Sequence, residues 1–204
     1  MQDCYLIGAG SFYGLHARPG PGDLLIAADG GCAALKALGL TPDLVVGDFD
    51  SLGAVPAGSN VIRLPVEKDD TDMLAAIRLG LERGYRRFRI YGGTGGARPE
   101  HTLANLQCLL FLAERGAEGY LYDRASVCTA LRCGTKRFPA AQHGNLSVFT
   151  ISGPARGVTL RGLKYELEDA ELRPELPLGV SNSFTGAEAE VTVRDGTLLL
   201  WYDL

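Results

Sequence analysis

The fold of the first half of the chain is decided by one stretch, Thr41-Pro42-Asp43-Leu44-Val45-Val46-Gly47-Asp48-Phe49-Asp50-Ser51. Its apolar run predicts a buried strand of a parallel sheet that stops at Gly47. In open α/β sheets, ligands bind outside the carboxyl ends of the strands. Asp48 and Asp50 are two residues apart, so in extended backbone both side chains point the same way and can share one hard cation. For this stretch alone, an ordinary Asp-Gly turn remains an alternative.

Two further polar clusters follow predicted strands. They are Lys68-Asp69-Asp70-Thr71-Asp72 and the glycine run Gly92-Gly93-Thr94-Gly95-Gly96. Because parallel strands end at the same edge of a sheet, these clusters predict a magnesium site for a phosphorylated substrate. The net charge of -4 supports a metal, since an acidic site repels a polyphosphate unless a cation lies between them.

The fold class predicted is α/β, with a mostly parallel-sheet domain at residues 1–124 and an all-β sandwich domain at residues 125–204. The first part alternates short apolar strands with helical patterns, whereas the second shows short β-like runs separated by turns. In the second part we predict a strand at Leu163–Leu167 and a hairpin turn at Asp195-Gly196.

Two helices of the first domain have predicted inward faces. The helix starting near Asp70, capped by Asp70 or Thr71, is predicted to pack through three residues and to pair Arg78 with Glu82 outside. The helix Thr102–Arg115 is predicted to pack through four residues. These inward residues are Leu74, Ile77 and Leu81 in the first helix, and Leu103, Leu106, Leu110 and Ala113 in the second.

Composition limits the protein class. With 46% hydrophobic and 22% charged residues, the chain has the composition of an ordinary globular protein, and its negative charge argues against nucleic-acid binding. No apolar stretch predicts a signal peptide or a membrane span, so we expect a cytoplasmic protein without a membrane partner. The five cysteines form no Cys-x-x-Cys pair, which favours buried, reduced thiols.

Gly8-Ala9-Gly10-Ser11 follows the first predicted strand and allows two interpretations. The turn can present backbone N–H groups to a phosphate, or its glycines can serve packing alone. The third glycine of a dinucleotide fingerprint is missing, because Tyr13 stands before Gly14.

Six motifs in this order resemble the thiamine pyrophosphokinase (thiamine diphosphokinase) family over nearly the whole chain. They are Ala28-Asp29-Gly30-Gly31, Pro42-Asp43 with Gly47–Ser51, Lys68–Asp72, Gly95-Gly96 through His101 to Asn105, Gly162-Leu163-Lys164-Tyr165, and Gly179-Val180-Ser181-Asn182. The resemblance implies an α/β domain with a β-sandwich. It also implies transfer of a pyrophosphoryl group from ATP to the hydroxyl of thiamine, giving thiamine diphosphate and AMP.

The resemblance also implies residue roles. The metal ligands for Mg²⁺ are Asp48, Asp50 and Asp72, and the catalytic set is Asp48, Asp50, Asp69, Asp72, Arg98 and Glu100. The residues implied to bind the substrates ATP and thiamine are Asp29, Lys68, Thr71, His101, Asn105, Tyr165, Ser181 and Asn182. Residues 1–124 would then bind ATP and the metal, and residues 125–204 would bind thiamine and form a homodimer with composite active sites.

One motif departs from the family pattern. Family members read Gly-Gly-Arg-x-Asp-His, whereas this chain reads Gly95-Gly96-Ala97-Arg98-Pro99-Glu100-His101. An alanine is therefore inserted and a glutamate replaces the aspartate. The order arginine, acid, histidine survives, and the longer Glu100 side chain can compensate for the shifted backbone. His101 is either a catalytic base or substrate contact, or a residue that only begins a helix.

Two other functions fit part of the pattern. A phosphatase with an aspartate nucleophile also begins with Asp-Phe-Asp-Ser after a strand, but that chemistry leaves the glycine run and the β domain unexplained. A nucleotide-sensing module using Gly8–Ser11 needs no cluster of four carboxylates. Release of AMP from ATP, with and without thiamine, separates the three.

Overall fold

The computed structural model describes residues 2–47, 60–63 and 70–204. The chain divides into two compact units, Met1–Arg124 and Ala125–Leu204. The first unit alternates strands and helices, and the second is built of strands. The fold class predicted from the sequence is confirmed.

The first unit is a parallel sheet with helices. Its elements are β1 (Cys4–Ile7), β2 (Leu24–Ala28), α1 (Gly31–Ala37), β3 (Leu44–Gly47), β4 (Val61–Arg63), α2 (Asp72–Glu82), β5 (Arg87–Tyr91), α3 (Pro99–Glu114) and β6 (Glu118–Tyr122). Among the described residues the strand order is β6-β5-β1-β2-β3-β4, and each neighbouring pair is parallel.

The direction of winding changes between β1 and β5. From β1 the chain passes to β2, β3 and β4 on one side, then returns to β5 and continues to β6 on the other. Right-handed crossovers therefore place α1 on one face of the sheet and α2 and α3 on the opposite face. The carboxyl ends of β1 and β5 form the topological switch point, where open α/β sheets bind their ligands.

The second unit is organised around its longest strand. Its strands are β7 (Ser126–Phe138), β8 (Asn145–Phe149), β9 (Ala155–Arg161), β10 (Leu167–Leu172), β11 (Gly179–Ser183) and β12 (Ala189–Asp203). β12 pairs with β7 along its length, while its other edge pairs first with β9 and then with β8. The first part of β12 with β9 forms one half of this unit, and the last part of β12 with β8 forms the other. Both halves contribute side chains to one buried core, including Val158, Val191, Leu146 and Leu200. The two halves therefore face each other as the layers of a sandwich.

Two predictions for the second unit were wrong. Asp195-Gly196 is not a hairpin turn, because β12 continues through it with a register shift between Val193 and Thr197. Gly196 has φ +99°, so the left-handed backbone that suggested a turn is used in a bulge. Leu163–Leu167 is not a strand, since Leu163 makes a single bridge to Phe184 before β10 starts at Leu167.

The helix faces also differ from prediction. In α2, Ile77 is buried as expected, but the other buried residues are Met73, Ala76 and Gly80. In α3 the buried residues are Asn105, Cys108, Leu109 and Leu112, whereas Leu103 is 56% exposed. Helix α3 carries apolar residues around much of its circumference, so spacing alone does not select the inward face.

Two smaller expectations need correction. Arg78 lies 2.8 Å from Asp70, an ion pair in place of the predicted pair with Glu82. All five cysteines are free, and Cys4, Cys108 and Cys128 are buried as predicted, whereas Cys133 is exposed. Burial raises the pKa of Cys108 and of Cys128 to about 12, so both remain protonated at neutral pH.

Candidate active site

A cavity of about 270 Å³ lies at the switch point of the first unit. Its walls come from the segments that follow β1, β2 and β5, from the first turn of α2 and from the first two turns of α3. Six residues predicted from the sequence as site residues line it: Asp29, Thr71, Asp72, Arg98, His101 and Asn105. Residues up to 76 positions apart in the sequence, Asp29 and Asn105, are thus gathered by the sheet topology.

Four predicted site residues lie outside the described residues. They are Asp48, Asp50, Lys68 and Asp69. The strand that leads to the first two is described, since β3 ends at Gly47 as predicted. Within the described ranges no three acidic, histidine or cysteine side chains converge on a metal-sized position, and Asp72 is the one described member of the predicted metal set.

The N-terminus of α2 faces the cavity. Thr71 caps the helix, because its Oγ1 accepts a hydrogen bond from the Leu74 N–H at 3.2 Å. Asp72 stands in the first turn, where the helix dipole favours an ionised carboxylate. The hydroxyl proton of Thr71 remains a donor. The cavity therefore receives a carboxylate and a positive helix end from the same element.

Helix α3 begins at the same cavity with Pro99 at its first position. Arg98, at the N-cap, lines the cavity and donates from Nε to Glu100 Oε1 at 2.8 Å. This hydrogen bond lowers the pKa of Glu100 below 4.5, which keeps the acid ionised and Arg98 oriented. Glu100 is highly exposed and is not part of the cavity lining. Arg98 is therefore in direct contact with the cavity, whereas Glu100 lies outside it and contacts Arg98.

Asp29 reaches the cavity from the end of β2 with an unusual backbone. Its φ is +47°, a left-handed conformation that aspartate tolerates better than most residues. Its N–H donates to the Val46 carbonyl at 2.8 Å, which ties the end of β2 to β3. Burial and the nearby Asp29 charge raise the pKa of Cys32 at the start of α1, so that thiol is not an activated nucleophile.

The glycines after β1 serve close packing. The Gly8, Gly10 and Ser11 N–H groups donate to the carbonyls of Tyr91, Gly92 and Thr94, each at 2.8 Å. A Cβ at Gly8 would lie 2.6 Å from the Gly92 oxygen, and one at Gly10 would lie 2.6 Å from the Thr94 oxygen. Three donors of the turn are thus engaged by the neighbouring loop. This geometry favours packing over phosphate binding by those N–H groups.

In the second unit, the three predicted binding residues have different environments. Tyr165 is 58% exposed, with the Lys164 ammonium 5.2 Å from its ring centre. Ser181 is exposed and has φ +59°. Asn182 is only 3% exposed; its Oδ1 accepts from the N–H groups of Tyr165 and Ser183, and its Nδ2 donates to the Tyr165 carbonyl. Asn182 therefore shapes the turn that presents Tyr165.

Sequence reasoning missed two features of the first unit. The first is Met73, which lines the cavity beside Asp72. The one sequence signal for this contact is its position in the first turn of a predicted helix. The second is His16, which stacks on Tyr122 with ring centres 4.8 Å apart. Burial and the Arg89 charge lower the pKa of His16, which favours a neutral imidazole in the stack. Nothing in the local sequence marks this contact, because it depends on how the loop folds over the sheet.

The fold and the cavity define the first unit as a doubly wound α/β unit with a cavity at the switch point, where folds of this class bind their ligands. Comparison with known proteins narrows this class. The family profile for the thiamin pyrophosphokinase catalytic domain matches residues 21–121, and the profile for the thiamin pyrophosphokinase vitamin B1 binding domain matches residues 137–198. The chain belongs to the thiamine pyrophosphokinase family and is an enzyme of that family.

Individual relatives agree. Thiamine pyrophosphokinase from Bacillus subtilis (strain 168) is 27% identical over 187 residues, which cover 87% of this chain and 86% of the relative. The crystal structure of thiamin pyrophosphokinase from Geobacillus thermodenitrificans is 27% identical with a TM-score of 0.83, covering 100% of this chain and 98% of that one. The Bacillus subtilis crystal structure has a TM-score of 0.87 at 24% identity over 99% of both chains, which supports the fold.

None of the helices in residues 2–47, 60–63 and 70–204 combines the length and the apolar character needed to cross a bilayer. Cytoplasmic localisation stays a prediction from the sequence.

Proposed function

We propose that the chain transfers a pyrophosphoryl group from ATP to the hydroxyl oxygen of thiamine, releasing AMP. The observation that carries this proposal is the cavity at the switch point, with Asp29, Thr71, Asp72, Arg98, His101 and Asn105 on its walls. Family membership supplies the class of substrates. The residues supply acidic groups, a guanidinium and two helix N-termini, which together suit a polyphosphate with a divalent cation.

In this reaction the thiamine hydroxyl oxygen attacks the β-phosphorus of ATP. The bond between that phosphorus and the α,β-bridging oxygen breaks, AMP leaves with the bridging oxygen, and the hydroxyl proton is lost. Little covalent chemistry is required of the protein, so positioning and charge stabilisation provide most of the acceleration. The N-terminal ends of α2 and α3 favour negative charge at the cavity.

Arg98 is assigned to the phosphate chain. Its contact with Glu100 engages Nε, and the two terminal amino groups are the donors that a bidentate contact with phosphate oxygens uses. His101 and Asn105 are assigned to substrate contact on the wall formed by α3. In the second unit, Tyr165, Ser181 and Asn182 are assigned to thiamine, with the Tyr165 ring as an aromatic face for a cationic ligand.

Magnesium fits the donor set, because the described cavity walls carry the carboxylates of Asp29 and Asp72 and no cysteine thiolate. Asp72 would hold the ion with Asp48 and Asp50, and Asp69 would support the same site. When bound, the ion neutralises charge on the phosphate oxygens. Lys68 is assigned as a further counter-charge for phosphate.

The test is product analysis with purified protein, ATP, magnesium and thiamine. AMP and thiamine diphosphate should appear in equal amounts, and AMP should be absent without thiamine. Chelation of the metal should abolish the reaction, and added magnesium should restore it. Release of inorganic phosphate independent of thiamine would instead identify a phosphatase, and binding of ATP without products would identify a sensor.

Arg98→Lys provides a matched test of the guanidinium. The lysine keeps the positive charge but loses the planar, two-pronged donor geometry of the guanidinium, so the KM for ATP should rise. Arg115→Lys is the control, because Arg115 lies at the exposed far end of the same helix, and it should leave the KM for ATP unchanged. Equal KM values in the two variants would remove Arg98 from the phosphate site.

A further inference from the structure

The glycine run Gly92–Gly96 forms a wall of the cavity, and Thr94 is its one residue with a side chain. Glycine backbone has access to more conformations than any other residue, so such a run holds a shape only when its surroundings fix it. Three contacts fix its carbonyl groups. The Gly92 and Thr94 oxygens accept from the backbone after β1, and the Gly93 oxygen accepts from Asn105 Nδ2 at 2.7 Å.

A fourth contact fixes the run through a side chain. Thr94 Oγ1 donates to Asp123 Oδ1 at 3.1 Å. Thr94 is 4% exposed, and Asp123 is half-buried directly after β6. Neither residue lines the cavity. The contact connects the loop after β5 to the end of the neighbouring strand, and its acceptor is a carboxylate, which makes it stronger than a neutral hydrogen bond.

We propose that Thr94 and Asp123 are a positioning pair that sets the glycine run for the phosphate chain of the nucleotide. The proposal rests on the proposed function for the identity of that ligand. Gly92, Gly93 and Thr94 are buried, whereas Gly95, Gly96 and Arg98 are exposed. Thr94 is therefore the last buried anchor before the segment that carries Arg98 to the cavity.

The consequence of losing this anchor is geometric. Without the hydroxyl, the Thr94 side chain no longer holds the start of the Gly95-Gly96 segment in place. The backbone of these two glycines can then change conformation, and the position of Arg98 changes with it. Misplacement of a substrate-positioning group by about 1 Å can cost about 100-fold in rate. A purely structural threonine would instead affect stability and leave nucleotide affinity unchanged.

The test uses Thr94→Val, which preserves shape and removes the hydroxyl, and Thr94→Ser, which restores it. Thr129→Val is the matched control, because Thr129 is also buried but lies in β7 of the second unit. Calorimetric titration with ATP and magnesium measures affinity without turnover, and AMP release gives KM for ATP and for thiamine. We expect Thr94→Val to weaken ATP binding and raise the KM for ATP by about 10-fold or more, as loss of a hydrogen bond to a charged group predicts.

The other measurements have equally defined expectations. The KM for thiamine should be unchanged, Thr94→Ser should restore ATP affinity to within about two-fold, and Thr129→Val should match wild type. Asp123→Ala should reproduce the defect, and the double variant Thr94→Val/Asp123→Ala should be no worse than the more damaged single variant. If Thr94→Val does not fold, Asp123→Ala carries the test from a half-buried position.

Unchanged ATP affinity in Thr94→Val or, where that variant does not fold, in Asp123→Ala would overturn the proposal, as would additive losses in the double variant. Failure of the proposed function looks different. If the wild-type protein binds ATP but produces no AMP with thiamine, the proposed reaction is wrong. The ATP affinities of the variants then still show whether Thr94 and Asp123 position the glycine run. If wild type does not bind ATP at all, both are overturned.

Discussion

The two units present their predicted binding residues in contrasting ways. In the first, side chains from the ends of several elements converge on one cavity, and the loops around it are fixed by backbone contacts. In the second, Tyr165 and Ser181 are exposed, while Asn182 is buried and bonds to the backbone beside them. A parallel sheet gathers distant residues by topology, whereas a β-sandwich exposes a turn whose shape depends on a single buried amide.

The largest expected effect concerns the cavity of the first unit. Asp48→Asn, Asp50→Asn and Asp72→Asn should each lower turnover by at least about 100-fold, because charge stabilisation at the phosphates is lost. Thermal unfolding should show that the fold persists. Asp70→Asn is the control, since its carboxylate pairs with Arg78, and its activity should stay within about two-fold of wild type. Near-normal turnover in all three variants would reject the aspartate site.

The next effect concerns the second unit. Asn182→Ala removes three hydrogen bonds at the Tyr165 turn and leaves buried polar groups without partners. The free energy of unfolding should fall by about 2–4 kcal/mol. Urea unfolding followed by the fluorescence of Trp201, the single tryptophan, reports this unit directly. Ser181→Ala should change stability by less than about 0.5 kcal/mol. Equal stability of the two variants would show that Asn182 does not hold the turn.

A complementation experiment relates the two units in the predicted homodimer. Asp50→Asn and Ser181→Ala chains, each nearly inactive alone, are denatured together and refolded. If each active site takes residues from both chains, half the dimers are mixed and each mixed dimer has one intact site, so activity should recover to about one quarter of wild type. Tyr165→Ala replaces Ser181→Ala if the latter is too mild. Activity equal to the average of the parents, with dimers confirmed by gel filtration, would place the site within one chain.

The smallest expected effect concerns Glu100. Its contact with Arg98 is exposed, so Glu100→Gln should impair catalysis only modestly, lowering kcat/KM for ATP by about five-fold. Glu100→Asp should not restore activity, because the inserted Ala97 shifts the backbone. Since the hydrogen bond with Arg98 lowers the pKa of Glu100, the ion pair is present at neutral pH and is lost only as pH falls through the lowered value. The effect of the variant should therefore be constant from pH 6 to 8. Full activity in Glu100→Gln would show that the acid is structural.

The predictions that the structure confirmed rest on local chemistry. An apolar run closed by glycine predicted β3, and a cap at Asp70 or Thr71 predicted the start of α2, where the structure has Thr71 as the cap. Together with the switch-point rule, such strand ends indicated the edge of the sheet where the cavity lies, whereas the resemblance to the family supplied the six predicted residues that line it. Motif order carried the assignment to the family.

The errors arose where local patterns have two structural solutions. Asp195-Gly196 supports a hairpin or a bulge, and pairing with β7 through both sides of it selects the bulge. In α3, polar Asn105 faces inward because it bonds to the Gly93 carbonyl, a contact that apolar periodicity does not reveal. The Thr94–Asp123 pair was missed for the same reason, since its members are 29 positions apart.

The pairing of β12 with three earlier strands has a consequence for synthesis of the chain. In the first unit the central strand β1 is translated before its neighbours, so each later strand can add to an existing edge. In the second unit, β12 pairs with β7, β8 and β9 but is translated after all of them. Those three strands therefore wait without their common partner until β12 leaves the ribosome. The second unit depends on contacts of long sequence separation, which form slowly and leave strand edges open to mispairing in the meantime.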